Sequence, residues 1–452
     1  MDERVKGKIE LPEERVKNFN EVEHGYTKEE AMKEASRCLH CNNPRCVKGC
    51  PVNIMIPEFI AAVKENNIEK AYQVISESSS LPAICGRVCP QEKQCEQMCI
   101  KGLRTDAIAI GSLERFVADY AMEHDFENNK NVPKKNKRIA IVGSGPAGLS
   151  CAYELSLNGY DVEIFEVLHK AGGVLTYGIP EFRLPKEIVK KEVNKLEKMG
   201  VKIHCNVPIG KAITLSELEK EYDAVFLGTG AGLPKFMDIK GEDANEVFSA
   251  NEILTRINLM GAYKSDSNTP IKKGSIAYVI GGGNVAMDAV RSLKRLGIEA
   301  HLMYRRSMEE LPARKMEVIH AEEEGIIFDL LQNPVQILTD EDNHVIGMEV
   351  VDMELTEADA DGRRGVKEKT GSNHTVKCDM VVEALGTSPN HEALVDSNIK
   401  LTDRGLVYVE NSKTTLSNVF AGGDIVTGAA TVILAMEAGK NGAKAIMEYL
   451  EK

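Results

Sequence analysis

The chain has 452 residues, 43% of them apolar, and a net charge of −13. That length predicts two to four domains with apolar residues enough for real cores. The acidic balance argues against a nucleic-acid partner, which needs clustered Lys and Arg, and no apolar run reaches the roughly 18 residues of a membrane span.

The amino terminus, MDERVKGKIELPEERVKNF, is highly charged and lacks the apolar stretch of a secretory signal, so the expected compartment is the cytoplasm. Eight of the eleven cysteines then lie between Cys38 and Cys99. The first run, CLHCNNPRCVKGCP, reads C-x2-C-x4-C-x3-C-P; the second, CGRVCPQEKQCEQMC, reads C-x3-C-P-x4-C-x3-C. Disulfides, a zinc site and iron–sulfur ligation compete for them. A reducing compartment weighs against structural disulfides. One zinc site uses four ligands and leaves the second Cys-Pro run without a purpose. In two-cluster ferredoxins the last cysteine of such a run ligates the other cluster. By that logic Cys38, Cys41, Cys46 and Cys99 hold one [4Fe–4S] cluster, and Cys50, Cys89 and Cys95 serve a second. From the residues alone, Cys85 is the natural fourth ligand of that second cluster. Between the runs, EFIAAVKENNIEKAYQVI has the 3.6-residue apolar spacing of helices. The scattered Cys151, Cys205 and Cys378 are expected to be small buried core residues.

A charged linker, EHDFENNKNVPKKNK, leads to RIAIVGSGPAGLSCAYELSLNGYDVEIFE. Here an apolar strand (residues 139–142) runs into Gly143, Gly145, Pro146, Ala147 and Gly148, then a helix, then a second strand ending at Glu166. The glycines serve a tight turn, close backbone approach to a pyrophosphate and helix–strand packing, and the acid can receive ribose hydroxyls. The pattern returns in SIAYVIGGGNVAMDAVRSLKRLGIEAHLMYRRS, with Gly281, Gly283, Asn284, Val285 and Ala286 in the turn. Its second strand ends on Arg305 and Arg306 instead of an acid, a pair suited to the 2′-phosphate of NADP. Two apolar strands run into Gly-Thr turns at YDAVFLGTGA, which contains Gly230, and at CDMVVEALGTSPN; both are expected as crossings between domains. Near the end, NVFAGGDIVTGAATVILAMEAGKNGAKAI gives a strand, Gly423 and Asp424, and a long helix beginning near Thr431. The aspartate suits a flavin's ribityl or phosphate oxygens, and the helix can point its positive end at the ring system.

From Arg138 onward the chain resembles the two-dinucleotide-binding-domain flavoproteins. With its cysteine-rich start, the whole length resembles the glutamate synthase small-chain family. Within that family GGVLTYGIPEFRLPKEIVKKEV, which contains Gly173, is similar to the large-subunit group of NADH-dependent reduced ferredoxin:NADP oxidoreductases. The amino-terminal half of dihydropyrimidine dehydrogenase is also similar. The resemblance implies an α/β fold: an all-helical iron–sulfur domain over residues 1–125, then two Rossmann-like domains. An FAD domain would occupy 136–250 and 376–452, split by an NADP domain at 251–375. FAD would contact Gly143, Gly145, Pro146, Ala147, Gly148, Glu166, Gly173, Gly230, Gly423, Asp424 and Thr431. The resemblance also implies that Glu114, in IGSLERF, replaces Cys85 as the second cluster's fourth ligand.

The expected activity is electron transfer between NADP(H) and a partner through FAD and two [4Fe–4S] clusters. The partner is a small NAD-binding flavoprotein with ferredoxin, in a bifurcating complex, or a large glutamate synthase subunit. A disulfide reductase needs a Cys pair beside the flavin, and residues 251–375 contain no cysteine. The intact second fingerprint argues against a non-catalytic redox sensor. Hydride transfer needs orientation more than a proton donor, so no acid–base residue is nominated.

Overall fold

A computed structural model describes residues 3–126, 132–271, 274–358 and 364–452. Part of the charged linker, residues 127–131, lies outside the described residues.

The cysteine-rich region is helical. Thr27 caps the helix Lys28–Ala35 reciprocally with Glu30, satisfying two otherwise unpaired amides. The apolar spacing seen in sequence folds as Ile56–Lys64 and Ile68–Ser76, which bury Phe59, Ile60, Val63, Ala71 and Ile75. Two further helices, Pro82–Val88 and Ile110–Glu123, cross at very short range. A Cβ on Gly86 would come within 2.6 Å of the Arg115 backbone nitrogen, and one on Gly111 would overlap the Gln91 side chain. This close crossing, which only glycine permits, sets the second cysteine run against the first turn of Ile110–Glu123.

Two five-stranded parallel sheets follow. The first runs in the order Val419–Ala421, Ala224–Leu227, Arg138–Val142, Asp161–Phe165, Lys202–His204. The second runs Val247–Ser249, Met380–Glu383, Ile276–Ile280, Glu299–Tyr304, Ile327–Leu330. In each, the fingerprint strand lies in the middle, so its turn opens at the carboxyl edge where doubly wound sheets take nucleotides. The connecting segments Leu233–Pro234 and Thr387–Ser388 pair with each other as a short antiparallel ribbon.

The passage between the sheets therefore falls at the two Gly-Thr turns. The boundaries expected at 250 and 376 are displaced by the strands Val247–Ser249 and Met380–Glu383, which flank them and both belong to the second sheet. The second unit also carries an antiparallel sheet of Gln332–Thr339, Val345–Ala358, Arg364–Glu368 and His374–Lys377, which the sequence did not announce.

The amino-terminal segment does not stay with the helical unit. Phe19 and Val22 join the second sheet's core, and Phe19 stacks on Tyr263 at 4.3 Å between ring centroids. Arg15 is buried, donating to Glu324 at 2.8 Å and Glu323 at 2.7 Å. Among the described residues no helix is long and apolar enough to cross a membrane.

Candidate functional site

The eight proposed metal donors separate into two groups. Cys38, Cys41, Cys46 and Cys99 line one pocket, together with Ile56, Ile60, Ile108 and Ile110. Burial pushes the Cys38 thiol up and the Cys46 thiol to about 11, and each also feels Cys99. Cys50, Cys85, Cys89, Cys95 and Glu114 form the other group, close enough to perturb one another electrostatically. Burial raises Cys50 to about 11 and drives Cys95 well up. Cys85 is raised first by its hydrogen bond with Cys89 and then by burial.

Glu114 is buried, and burial alone raises its carboxyl to about 8; its Oε1 has no hydrogen-bond partner. An orphan carboxyl oxygen inside a nest of thiols is costly unless something binds it. Thiol sulfur with one hard oxygen is a donor set that iron accepts, so the residues fit an iron–sulfur group. Loading metal would release the thiol protons that burial retains. The second group offers five donors, Cys85 and Glu114 both among them. No three Cys, His, Asp or Glu side chains among the described residues meet tightly enough for a single metal ion.

At the first fingerprint, Gly143 has φ +97° and its Cβ would strike the Gly228 carbonyl. A Cβ on Gly145 would meet nothing within 4 Å, leaving the cradle open for a ligand, whereas Gly148 is pressed against the Gly143 carbonyl. Pro146 opens the helix Pro146–Leu157, and Ala147 is buried in its first turn. Gly173 packs against the Gly145 backbone, its Cβ position 2.8 Å from the Gly145 Cα. Gly423, at the start of Asp424–Thr427, has its Cβ position 2.9 Å from Ala147 Cβ. Gly230 has φ +71° and open space around it. Thr431 caps the helix Val432–Leu450, which packs on Pro146–Leu157. Residues some 270 positions apart in the chain thus surround one turn. Burial raises the Asp424 carboxyl to about 6.

Glu166 is buried and already engaged. It accepts from the Ser144 amide at 2.9 Å, the Ser144 hydroxyl and the Leu168 amide at 2.8 Å. Ser144 Oγ in turn accepts from the Gly172 amide at 2.9 Å, tying the fingerprint turn to the GGVLTYGIPEFRLP segment. Ser144 was not singled out from sequence, because it occupies a free position of the GxGxxG pattern. Tyr177 was also missed. Burial, then the Asp424 and Glu166 carboxylates, pushes its phenol up to about 12.

At the second fingerprint Gly281 has φ +140°, with its Cβ position 2.5 Å from the Ala384 carbonyl. Gly283 again faces open space, and Asn284 begins the helix Asn284–Arg295. Val285 is exposed and Ala286 is buried, giving the packing contact that the third position of the pattern needs. The two arginines differ. Arg305 is exposed, whereas Arg306 is buried with no partner for its Nε. Of the scattered cysteines, Cys151 and Cys378 are buried as expected, but Cys205 is only partly so.

Two nucleotide cradles behind a cysteine-rich helical unit define an FAD- and NADP-dependent oxidoreductase with an iron–sulfur domain. Family models agree: dihydropyrimidine dehydrogenase domain II with its 4Fe-4S cluster matches residues 15–126, and pyridine nucleotide-disulphide oxidoreductase matches 137–439. The chain is 36% identical to the glutamate synthase [NADPH] small chain of Escherichia coli (strain K12), over 96% of this chain and 94% of that one. It is 37% identical to the NADP(+)-dependent formate dehydrogenase subunit beta of Moorella thermoacetica, over 90% of this chain but 60% of that protein. Mycobacterium tuberculosis FprA in complex with NADPH shares the fold, with a TM-score of 0.59 at 20% identity over 70% of this chain and 84% of that one. The chain belongs to the glutamate synthase small-chain family.

Proposed function

We propose that this chain is the NADP(H)-binding electron-transfer subunit of a larger oxidoreductase, with FAD and two [4Fe–4S] clusters. The observation that carries the reading is the division of the metal-donor side chains into two separate groups, Cys38, Cys41, Cys46 and Cys99 half-buried around one pocket and Cys50, Cys89, Cys95 and Glu114 buried together. Cys38, Cys41, Cys46 and Cys99 would hold one cluster; Cys50, Cys89, Cys95 and Glu114 the other. FAD would lie on Gly143–Gly148, with Gly173, Gly230, Gly423, Asp424 and Thr431 around it and Glu166 beneath it. NADP(H) would lie on Gly281, Gly283, Asn284, Val285 and Ala286, with Arg305 and Arg306 toward its 2′-phosphate.

A bound flavin supplies the conversion between a hydride, two electrons at once, and carriers that take one electron at a time. The chain's own residues bind and orient. The fingerprint turns present amides to pyrophosphates at helix amino ends. The Ser144–Glu166–Gly172 bonds hold the first turn rigid.

For the assembly, the GIPEFRLP segment favours the large, bifurcating subunit of an NADH-dependent reduced ferredoxin:NADP oxidoreductase. The near-complete overlap with a glutamate synthase small chain supports the second reading, delivery of NADPH electrons to a large glutamate synthase subunit. Co-purification from the native source separates them. A small NAD-binding flavoprotein companion supports bifurcation, a very large subunit supports glutamate synthase, and native purification of the chain with no companion subunit overturns both.

A further inference from the structure

The loop that follows Arg305 and Arg306 ends in a residue with no role in nucleotide binding as described above. Arg314 leaves the second domain and enters the helical one. Its backbone amide donates to Asn284 Oδ1 at 2.9 Å, and the Ala313 amide donates to the Gly282 carbonyl at 3.3 Å, so the loop is anchored on the second fingerprint. Its side chain is buried. Nη1 donates to the Arg87 carbonyl at 2.8 Å and Nη2 donates to Gln91 Oε1 at 3.1 Å.

Those two acceptors stand two residues before and two residues after Cys89. Gln91 carries the contact further, donating through Nε2 to the Cys85 carbonyl at 3.3 Å and the Gly86 carbonyl at 3.2 Å. Lys93 closes the junction by donating to the Pro312 carbonyl at 3.0 Å. The guanidinium is only loosely neutralised: Glu92 lies 3.8 Å from Nε and Glu317 4.0 Å from Nη1. Glu317 is shared with Arg183 and Arg291.

We propose that Arg314 is a positioning residue that clamps the Cys89 turn and supplies a buried positive charge beside the second metal group, so that the nucleotide domain sets that group's reduction potential. The proposal rests on the two-cluster reading. Potentials of iron–sulfur groups follow local charge and the hydrogen bonding of their ligand loops. A nearby cation favours the more negative, reduced form, and a low-dielectric interior strengthens the effect.

The test is a redox titration of full-length, iron-loaded protein, read by low-temperature EPR, on Arg314→Gln and Arg314→Lys. The second signal is identified as the one that Glu114→Ala alters. Arg314→Gln is expected to move that signal's midpoint to more negative potential and to leave the other in place. Arg314→Lys should recover at least half of the shift, because it keeps the cation. Should Arg314→Gln fail to load iron, Arg314→Lys decides. An ammonium cannot span both acceptors, so the second signal's line shape must change while the first stays the same. Unchanged potentials and line shapes, equal shifts in both signals, or a Lys variant that behaves like Gln would each overturn the assignment. Parent protein with about four irons would overturn the two-cluster reading itself, and iron analysis reports that separately.

Discussion

Replacing Arg305 by alanine is the sharpest test of the nucleotide assignment. The side chain is exposed at the end of the strand Glu299–Tyr304. An exposed side chain at a strand end contributes little to the fold, so its loss should cost less than about 0.5 kcal/mol of stability. A charge-assisted hydrogen bond contributes about 1.5–3 kcal/mol. Because Arg305 is open to solvent, the lower figure applies, and about 1.4 kcal/mol is a factor of ten. The NADPH-over-NADH ratio of kcat/KM should therefore fall roughly tenfold in Arg305→Ala, through the NADPH arm alone. The parent's preference should also shrink with added salt, since the Debye length is about 10 Å at 0.1 M. Steady-state kinetics with an acceptor dye read both effects. Arg306 is buried with an unpartnered Nε, so Arg306→Ala should lower stability as well as the ratio. If neither variant changes the ratio, the 2′-phosphate does not sit at this strand end. If only Arg306→Ala changes it, the buried arginine is the reader and the argument from exposure is wrong.

Purified anaerobically, the protein is expected to contain close to eight iron atoms and one non-covalent FAD per chain; stoichiometric zinc with little iron would contradict this. Cys85→Ser should keep both EPR signals of the reduced protein while Glu114→Ala loses or alters one, and the reverse pattern would restore the all-cysteine assignment. Glu324→Gln should destabilise the second domain by about 3–5 kcal/mol in chemical denaturation, because it strips a buried carboxylate from Arg15, Arg291 and Arg295 at 2.7–3.0 Å. A change below about 1 kcal/mol would show that the network is dispensable. The same cluster predicts acid lability. Burial, then Arg291, holds His320 down at about 4, so the unfolded chain binds its proton first and stability declines as pH falls from 6.5 toward 4. Glu317, which burial would raise but Arg183 and Arg291 hold at about 2, adds a further loss between 4.5 and 2. A denaturation midpoint flat from pH 7 to pH 4 would refute the His320 part.

Much of the site was legible because its signals are local. A tight turn demands glycine at Gly143 and Gly281 whatever surrounds it, and the residues between Cys38 and Cys50 and between Cys85 and Cys99 advertise two ligand runs through spacing alone. Strand, turn and helix follow within about thirty residues, a range over which the chain's own stereochemistry decides. What stayed hidden depends on residues distant in sequence. That Val247–Ser249 and Met380–Glu383 join the second sheet is a matter of strand pairing, to which either neighbouring sheet was open. That Arg305 is exposed and Arg306 buried depends on which way two adjacent side chains leave a strand end once other elements pack around it. Ser144 looks like a spacer until Glu166 and Gly172 close on it. Arg314 belongs to no motif, and its acceptors beside Cys89 are supplied only by the packing of the second domain on the helical one. Local motifs were fixed by backbone sterics and spacing; the partners of buried polar groups were settled only when docking removed the solvent that had served them until then.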